Sequence, residues 1–339
     1  MEPIEVHDTR TPKERFWVQH QPFLLSRGYK LRPRYEPTWV SSSTESQIAE
    51  DDLVLLTPQA IDAVRMRDNY KVVIKRVSAS TPEITIGTYM SSSPMASDPR
   101  NRSVPFLEVL YPPEDNSIAM VVMPMLYGFD LLPFRRVGEF SEAIHQFLQG
   151  LQFMHEHNIA HKDACRLNLM MDVSKVIPRG FHYGYFFTHD GTSIDFKWRD
   201  RWTVRPVSYY FIDFGLSHQY PTGLENILDD GLFGQDRTVP EMSLTVPYDP
   251  FKADVYQLGN AFLQVIAKYE GLEAFLNLGK AMTRANPGER LNASEALTMF
   301  RGIVATYRLS DLKRRIWPIK LPSQDRFYVK YCGKMSLVQ

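Results

Sequence analysis

Cysteine is nearly absent from this chain, which has only Cys165 and Cys332 among its 339 residues. Two cysteines cannot build a disulfide framework, and these two lack the paired spacing of a zinc site, so a reducing compartment is favoured. An excess of one charge is also missing, because 39 basic residues balance 39 acidic ones. A chain without net charge has no broad electrostatic attraction to nucleic acid or to a membrane surface, and neither partner is expected.

Long apolar runs are missing as well. The most apolar stretch, residues 118–125, is interrupted by Pro124 and is far too short to cross a bilayer. Residues 1–5 are acidic and contain no apolar run, so neither a signal peptide nor a transit peptide is expected there. We therefore expect an intracellular, cytoplasmic protein. The basic residues 313–315 are a candidate nuclear signal, but a solvated helix end is the favoured interpretation of them.

Apolar periodicity predicts strands in the first part of the chain and helices in the later part. Residues 72–77 alternate as a half-buried strand does, whereas residues 118–123 and 209–212 read as buried strands. Helical spacing begins after Gly138, with Ser141 placed as a cap, and a second helix is expected to begin at Asp254. This order indicates an α+β fold with two lobes.

The composition and apolar periodicity divide the chain into four ranges. Residues 1–50 are predicted to be an extension, 51–125 a small, mainly antiparallel β lobe, 126–310 a larger, mainly helical lobe, and 311–339 a tail. Residues 172–207 are predicted to be an insertion in the second lobe.

Three short motifs carry chemistry. Residues 161–168 read H-K-D-A-C-R-L-N, directly after a predicted helix and before an apolar strand, and residues 213–215 read D-F-G after another. Residues 239–241 read V-P-E, and Asp254 and Arg290 follow. In motif content and order, residues 54–302 resemble the eukaryotic protein kinases. The runs at 97–101 and 209–217 resemble the divergent kinase-like proteins of basidiomycete fungi.

The resemblance implies a two-lobed protein-kinase fold that holds ATP and Mg²⁺ and transfers the γ-phosphoryl group to a hydroxyl of a protein substrate, serine or threonine foremost. Asp163 would orient the acceptor hydroxyl, and Asn168 and Asp213 would hold Mg²⁺. Lys75 would hold the α- and β-phosphates, with Glu83, only eight residues later, as its ionic partner.

Other residues receive binding or scaffold roles from the same resemblance. Met123 would line the back of the adenine pocket, and the amide of Met125 would bind adenine because Pro124 has none. Glu241 and Arg290 would form a structural ion pair, and Asp254 would cap the backbone around His161. Lys162 would receive an anion from residues 213–241, for which we expect one of Asp229, Asp230 and Asp236, foremost Asp236 beside Arg237. Gly215 is expected to provide the sharp turn after Asp213.

Two departures from the family pattern leave alternatives open. Residues 29–86 contain no glycine, so the family's glycine-rich phosphate loop is missing and T-P-Q-A at 57–60 stands in its place. Cys165 stands where serine/threonine kinases carry a lysine, so the motif does not choose between those acceptors and tyrosine. The alternatives to an active protein kinase are a pseudokinase that acts as a binding scaffold and a small-molecule phosphotransferase.

Overall fold

The structure is a computed structural model that describes residues 10–44, 49–54, 57–223, 226–232 and 234–322. The predicted extension and tail therefore lie partly outside the described residues. Residues 1–5 and Cys332 lie wholly outside them. The described chain divides into two compact units. The first unit comprises the described residues of 1–96, 104–127 and 172–199, and the second unit those of 97–103, 128–171 and 200–339.

The first unit contains a five-stranded antiparallel sheet and two helices. Its elements are α1 (Pro12–Ser26), β1 (Tyr29–Lys30), β2 (Ala60–Arg65), β3 (Tyr70–Ser78), α2 (Pro82–Ser91), β4 (Glu108–Leu110) and β5 (Ile118–Pro124). The strands follow the order β1-β2-β3-β5-β4, and all neighbours are antiparallel. The predicted α+β class with an antiparallel sheet is confirmed.

The side chains of β3 alternate between the two faces of the sheet, as the sequence predicts. Val72 and Ile74 are fully buried in a cluster that also contains Trp17 and Leu24 of α1, so the extension covers one face of the sheet. Lys75 lies on the opposite face, directly across from Val121 of β5.

The second unit is mainly helical. Its elements after β6 (Tyr127–Gly128), which spans the boundary, are α3 (Val137–Glu156), β7 (Ile159–Ala160), β8 (Leu169–Met171), α4 (Arg201–Val204), β9 (Tyr209–Phe211), β10 (His218–Gln219), β11 (Asp229–Gly231), β12 (Ser243–Tyr248), α5 (Pro250–Ile266), β13 (Tyr269–Glu270), α6 (Leu276–Met282), α7 (Ala293–Ala305), α8 (Leu309–Lys313) and β14 (Trp317–Pro318).

Two helix starts differ from the predictions. Helix α3 begins at Val137, where the Glu139 carboxylate accepts the amides of Arg135 and Arg136, so Ser141 is a buried residue inside the helix. Helix α5 begins at Pro250. Its cap is Asp249, whose side chain accepts two amides of the first turn. Sequence alone favoured Ser141 because serine is the commoner capping residue type.

Residues 172–199 belong to the first unit, although the sequence placed the whole stretch 172–207 in the helical lobe. The carbonyl of Phe181 accepts a hydrogen bond from Lys71 Nζ at 3.3 Å, and that of Phe186 accepts one from the Tyr127 hydroxyl at 2.9 Å. The rings of Phe181 and Tyr127 also meet edge to face, 4.7 Å apart. These contacts bring the segment back onto the first unit because the aromatic side chains that the sequence left unexplained find partners there.

Candidate functional site

Helix α5 fixes the loop of residues 161–168, which joins β7 to β8. The fully buried Asp254 accepts the amides of His161 and Lys162, each at 2.7 Å. One turn further along α5, Gln257 Oε1 accepts the amide of Ala164 at 2.9 Å. Lys162 adopts a positive φ of 63°. A non-glycine residue tolerates that conformation only where surrounding contacts enforce it, as these do.

Asp163 and Asn168 lie together inside this loop. Asn168 Nδ2 donates to the Asp163 carbonyl oxygen and to Asp163 Oδ2, both at 2.9 Å. Both side chains are buried, with 6% of Asp163 and 3% of Asn168 exposed. Since the amide nitrogen of Asn168 is turned toward Asp163, its oxygen is turned away, and an amide oxygen is a ligand that Mg²⁺ accepts.

The pairing of β8 with β9 brings Asp213 next to Asn168. Leu169 lies opposite Phe211, and the Ile212 amide donates to the Asn168 carbonyl at 3.0 Å, so Asp213 follows directly. The sharp turn occurs at Asp213 itself, which has a φ of 65°, and not at Gly215 as predicted. Asp213 Oδ1 accepts the amide of Gly215 at 3.4 Å, a short-range bond that favours this conformation.

His161 is a scaffold residue in this geometry. Its ring is completely buried, with Nε2 3.1 Å from the Ile212 carbonyl oxygen and Nδ1 accepting the Asp163 amide at 3.3 Å. Burial lowers the pKa of His161, although the charges of Asp254, Asp163 and Asp213 act in the opposite direction. A neutral ring that donates through Nε2 and accepts through Nδ1 satisfies both contacts.

The first unit contains the predicted ion pair of Lys75 and Glu83. Lys75 Nζ lies 2.7 and 2.8 Å from the two carboxylate oxygens of Glu83, which is 2% exposed. Helix α2 begins immediately before Glu83, with Thr81 as its cap. The early start explains how so short a sequence separation still allows the pair. The phosphate-binding role of Lys75 stays a prediction.

The two methionines predicted to contact adenine differ in their surroundings. Met123 lies opposite Val73, which places it on the same sheet face as Lys75, and it is 8% exposed. The amide of Met125 already donates to the Lys71 carbonyl, at 3.3 Å. Binding of adenine to this amide would replace or share that long hydrogen bond.

Glu241 and Arg290 form the predicted structural pair. Arg290 Nη2 donates to Glu241 Oε2 at 2.9 Å, and Nη1 donates to Oε1. The guanidinium also binds the carbonyl oxygens of Arg284 and Lys252, so every part of it has a partner although the side chain has no exposed surface. The role is structural because this charge is fully used within the second unit.

One of the three candidate aspartates does pair with Lys162, but it is Asp229, so the preference for Asp236 is wrong. Lys162 Nζ lies 2.6 Å from Asp229 Oδ2, which also accepts the Tyr220 hydroxyl at 2.6 Å. Asp236 instead accepts Asn260 Nδ2 of α5 at 2.7 Å and the amide of Thr238 at 3.0 Å. Sequence proximity to Arg237 had favoured Asp236, but that arginine binds the carbonyl of Leu232.

Two further residues of the loop at 161–168 have their own partners or surroundings. Arg166 Nη1 lies 3.0 Å from both carboxylate oxygens of Asp130. Burial and the nearby charge of Asp163 raise the pKa of the Cys165 thiol to about 12. Cys165 is therefore neutral at physiological pH. It cannot supply the positive charge of the lysine that serine/threonine kinases carry at the position it resembles.

Sequence reasoning missed one contact of Asp163. The backbone amide of Gln235 donates to Asp163 Oδ1 at 2.8 Å, and Gly234 lies buried beside it. No side-chain pattern signals a backbone donor, although Gly234 was available as an indication that the chain makes a close approach there.

No protein-family model matches this chain, and no curated protein matches it. Among the described residues, no group of three or more His, Cys, Asp or Glu side chains is arranged to hold a metal ion. No helix in the described part of the chain is long and apolar enough to cross a membrane.

Proposed function

We propose that this chain is a protein kinase with a two-lobed kinase fold, which transfers the γ-phosphoryl group of ATP to a hydroxyl of a protein substrate. The observation that carries the proposal is the arrangement of Asp163 and Asn168, whose 2.9 Å hydrogen bonds join the two fixed positions of the motif. The loop they occupy is anchored by Asp254, and the next strand delivers Asp213 beside Asn168. Phosphoryl transfer needs a hydroxyl-directing carboxylate next to oxygen ligands for a hard cation.

The residue roles follow from their chemistry. The Asn168 amide oxygen and the Asp213 carboxylate suit Mg²⁺, which usually keeps several waters and takes one or two protein oxygens together with substrate phosphates. When bound, the ion would neutralise charge on the phosphates. Asp163 accepts or orients the proton of the acceptor hydroxyl. Lys75 holds the phosphates, and Glu83 keeps its ammonium in place.

A scaffold without transferase activity is the second candidate, and specific observations favour it. The turn before β2, where a glycine-rich loop is expected, has Thr57 Oγ1 3.3 Å from the Tyr183 hydroxyl. The Met125 amide is also engaged within its own unit. A small-molecule phosphotransferase is less well supported, because the Glu241–Arg290 pair belongs to the protein-kinase pattern.

The deciding experiment incubates the protein with Mg²⁺, γ-labelled ATP and a generic protein substrate. Asp163→Asn should lower the transfer rate by about 10²- to 10⁴-fold, which is the usual contribution of a positioned general base. ATP binding, measured by calorimetry, should stay within about twofold, because Asp163 faces the acceptor and not the nucleotide. The matched control is Asp230→Asn, since Asp230 is exposed on the same unit.

Each result of this experiment distinguishes between the candidate functions or tests the role of Asp163. ATP binding without transfer by the wild-type protein would establish the scaffold, and transfer to small molecules alone would establish the third candidate. Equal rates for the wild type and Asp163→Asn would refute the assigned role of Asp163.

A further inference from the structure

The turn at residues 234–235 touches the carboxylate that the proposed reaction depends on. The Gln235 amide donates to Asp163 Oδ1, while Asn168 Nδ2 donates to Oδ2, so the two oxygens are each held by a separate donor. Gly234 has a φ of 77°, in the left-handed region that favours glycine.

Only glycine fits at position 234 without a displacement. A β-carbon there would lie 2.6 Å from Asp163 Oδ1 and 2.8 Å from the Lys162 carbonyl oxygen. The second of these atoms belongs to the backbone of the anchored loop and cannot rotate away. A larger residue must therefore push the turn away from Asp163, and the Gln235 amide would leave with it.

Helix α5 sets the position of this turn relative to Asp163. Asp254 and Gln257 of α5 hold the loop of residues 161–168, and Asn260, one turn later, binds Asp236 next to the turn. Residues three apart on a helix are neighbours on its surface, so Gln257 adjoins both Asp254 and Asn260, and adjoining residues of α5 position both segments. A rigid helix that aligns two segments is the arrangement expected where a carboxylate must keep a fixed orientation.

We infer that Gly234 and the backbone amide of Gln235 are positioning residues for phosphoryl transfer: they hold Asp163 in the orientation in which it meets the acceptor hydroxyl. The inference rests on the proposed function. It assigns a role that depends on the backbone, because Gln235 acts through its amide and its own side chain is exposed.

The test compares Gly234→Ala with Gly223→Ala in the full-length protein. Gly223 has nearly the same backbone angle, φ 80°, but no described atom beyond its chain neighbours lies within 4 Å of the position that an alanine methyl would take. Both variants therefore share the backbone strain, and only one displaces Asp163. Gly234→Ala should lower kcat about a hundredfold, the loss expected from a misplacement of about 1 Å. The KM for ATP should stay within about twofold, and Gly223→Ala should match the wild type.

A second pair covers the case in which Gly234→Ala fails to fold, as judged by thermal unfolding. Gln235→Pro removes the amide hydrogen, whereas Gln235→Ala removes only the side chain. The first should lose kcat in the same way, and the second should retain it.

The remaining outcomes overturn the inference. A kcat that rises in Gly234→Ala would mean that the turn blocks Asp163, and an unchanged kcat would mean that the contact is incidental. Both outcomes differ from failure of the proposed function. In that case the wild type itself transfers no phosphate, and Asp163→Asn has no activity to lower.

Discussion

The contact between Lys162 and Asp229 predicts what keeps residues 226–232 ordered. Asp229 Oδ2 accepts both Lys162 Nζ and the Tyr220 hydroxyl at 2.6 Å, and Oδ1 accepts the amide of Asp230 at 2.9 Å. In regulated kinases, a phosphorylated residue supplies the anion at such a basic site. In the proposed kinase, a carboxylate of the chain itself would fill that position, so order should not require modification.

The free energy of ordering that Asp229→Asn is expected to lose follows from the burial of the Lys162–Asp229 pair. A hydrogen bond to a charged group contributes about 1.5–3 kcal/mol when it is buried. The side chains of Lys162 and Asp229 are 10% and 23% exposed, so solvent offsets part of this and about 1–2 kcal/mol remains. That free energy corresponds to a decrease of roughly 5- to 30-fold in the ratio of ordered to disordered segment.

Two measurements check this estimate. Amide exchange followed by mass spectrometry should accelerate in peptides that cover residues 226–232, and transfer activity should fall by a similar factor. The control is Asp230→Asn, which changes an exposed neighbour. Unphosphorylated wild-type protein should be as active as untreated protein. The reasoning fails if Asp229→Asn exchanges like the control, or if activity depends on phosphorylation of the segment.

The pH dependence of this contact has a definite sign. Burial acts to raise the pKa of Asp229, but the hydrogen bonds from Lys162 and Tyr220 outweigh it, so its pKa lies below the ordinary value of 3.8. A depressed carboxyl pKa contributes stability that is present above the ordinary value and is lost as the pH falls through the folded value. The difference between wild type and Asp229→Asn should therefore be constant from pH 6 to 8, roughly, and shrink only in acid.

Two further predictions concern the nucleotide. ATP should bind weakly and need Mg²⁺, because without loop amides the cation held by Asn168 and Asp213 must neutralise more of the phosphate charge; tight binding in EDTA by calorimetry would contradict this. Glu83→Gln should lower kcat/KM for ATP by roughly thirtyfold, equivalent to about 2 kcal/mol, because Lys75 loses a buried carboxylate partner. Glu114→Gln, on an exposed glutamate of the same unit, is its control, and equal kcat/KM values for the two variants would count against the role of Lys75.

The sequence predicted best those features that are local. The alternation of Val72, Ile74 and Lys75 fixed both the strand and its buried face, since neighbouring residues of a strand point to opposite sides. The pair of Lys75 and Glu83 was expected only from the resemblance to the protein kinases, and the structure contains it.

Features that depend on contacts between distant segments were not predictable in this way. Asp229 and Asp236 are alike in residue type, and only the pairing of β11 with β12 decides which of them reaches Lys162. The contact of Gln235 with Asp163 is made by a backbone amide, which every residue except proline possesses. Residue type therefore could not single out Asp229, and for the backbone contact it offered only the indirect indication of Gly234.

Side-chain contacts in the first unit hold the turn that lies where a glycine-rich loop was expected. The turn before β2 is held by side chains, since Trp17 Nε1 donates to the Pro58 carbonyl at 3.2 Å and the Tyr183 hydroxyl lies 3.3 Å from Thr57 Oγ1. Trp17 belongs to the N-terminal extension and Tyr183 to the segment 172–199, so two parts outside the kinase-like pattern meet at this turn.

A charged cluster ties the same two parts together. Arg32 Nε lies 3.1 Å from Asp62 of β2, and Arg32 Nη1 lies 3.2 Å from Glu50, which is also 3.1 Å from His182 Nε2. Burial acts to raise the pKa of Glu50, but His182 and Arg32 outweigh it and lower the pKa. Breaking a partly buried cluster by removing one member leaves the remaining charges poorly compensated. The described parts of the extension and the segment 172–199 are therefore integral to the first unit, and side chains from both hold the turn at residues 57–60 in place. A glycine-rich loop, by contrast, relies on its own backbone freedom.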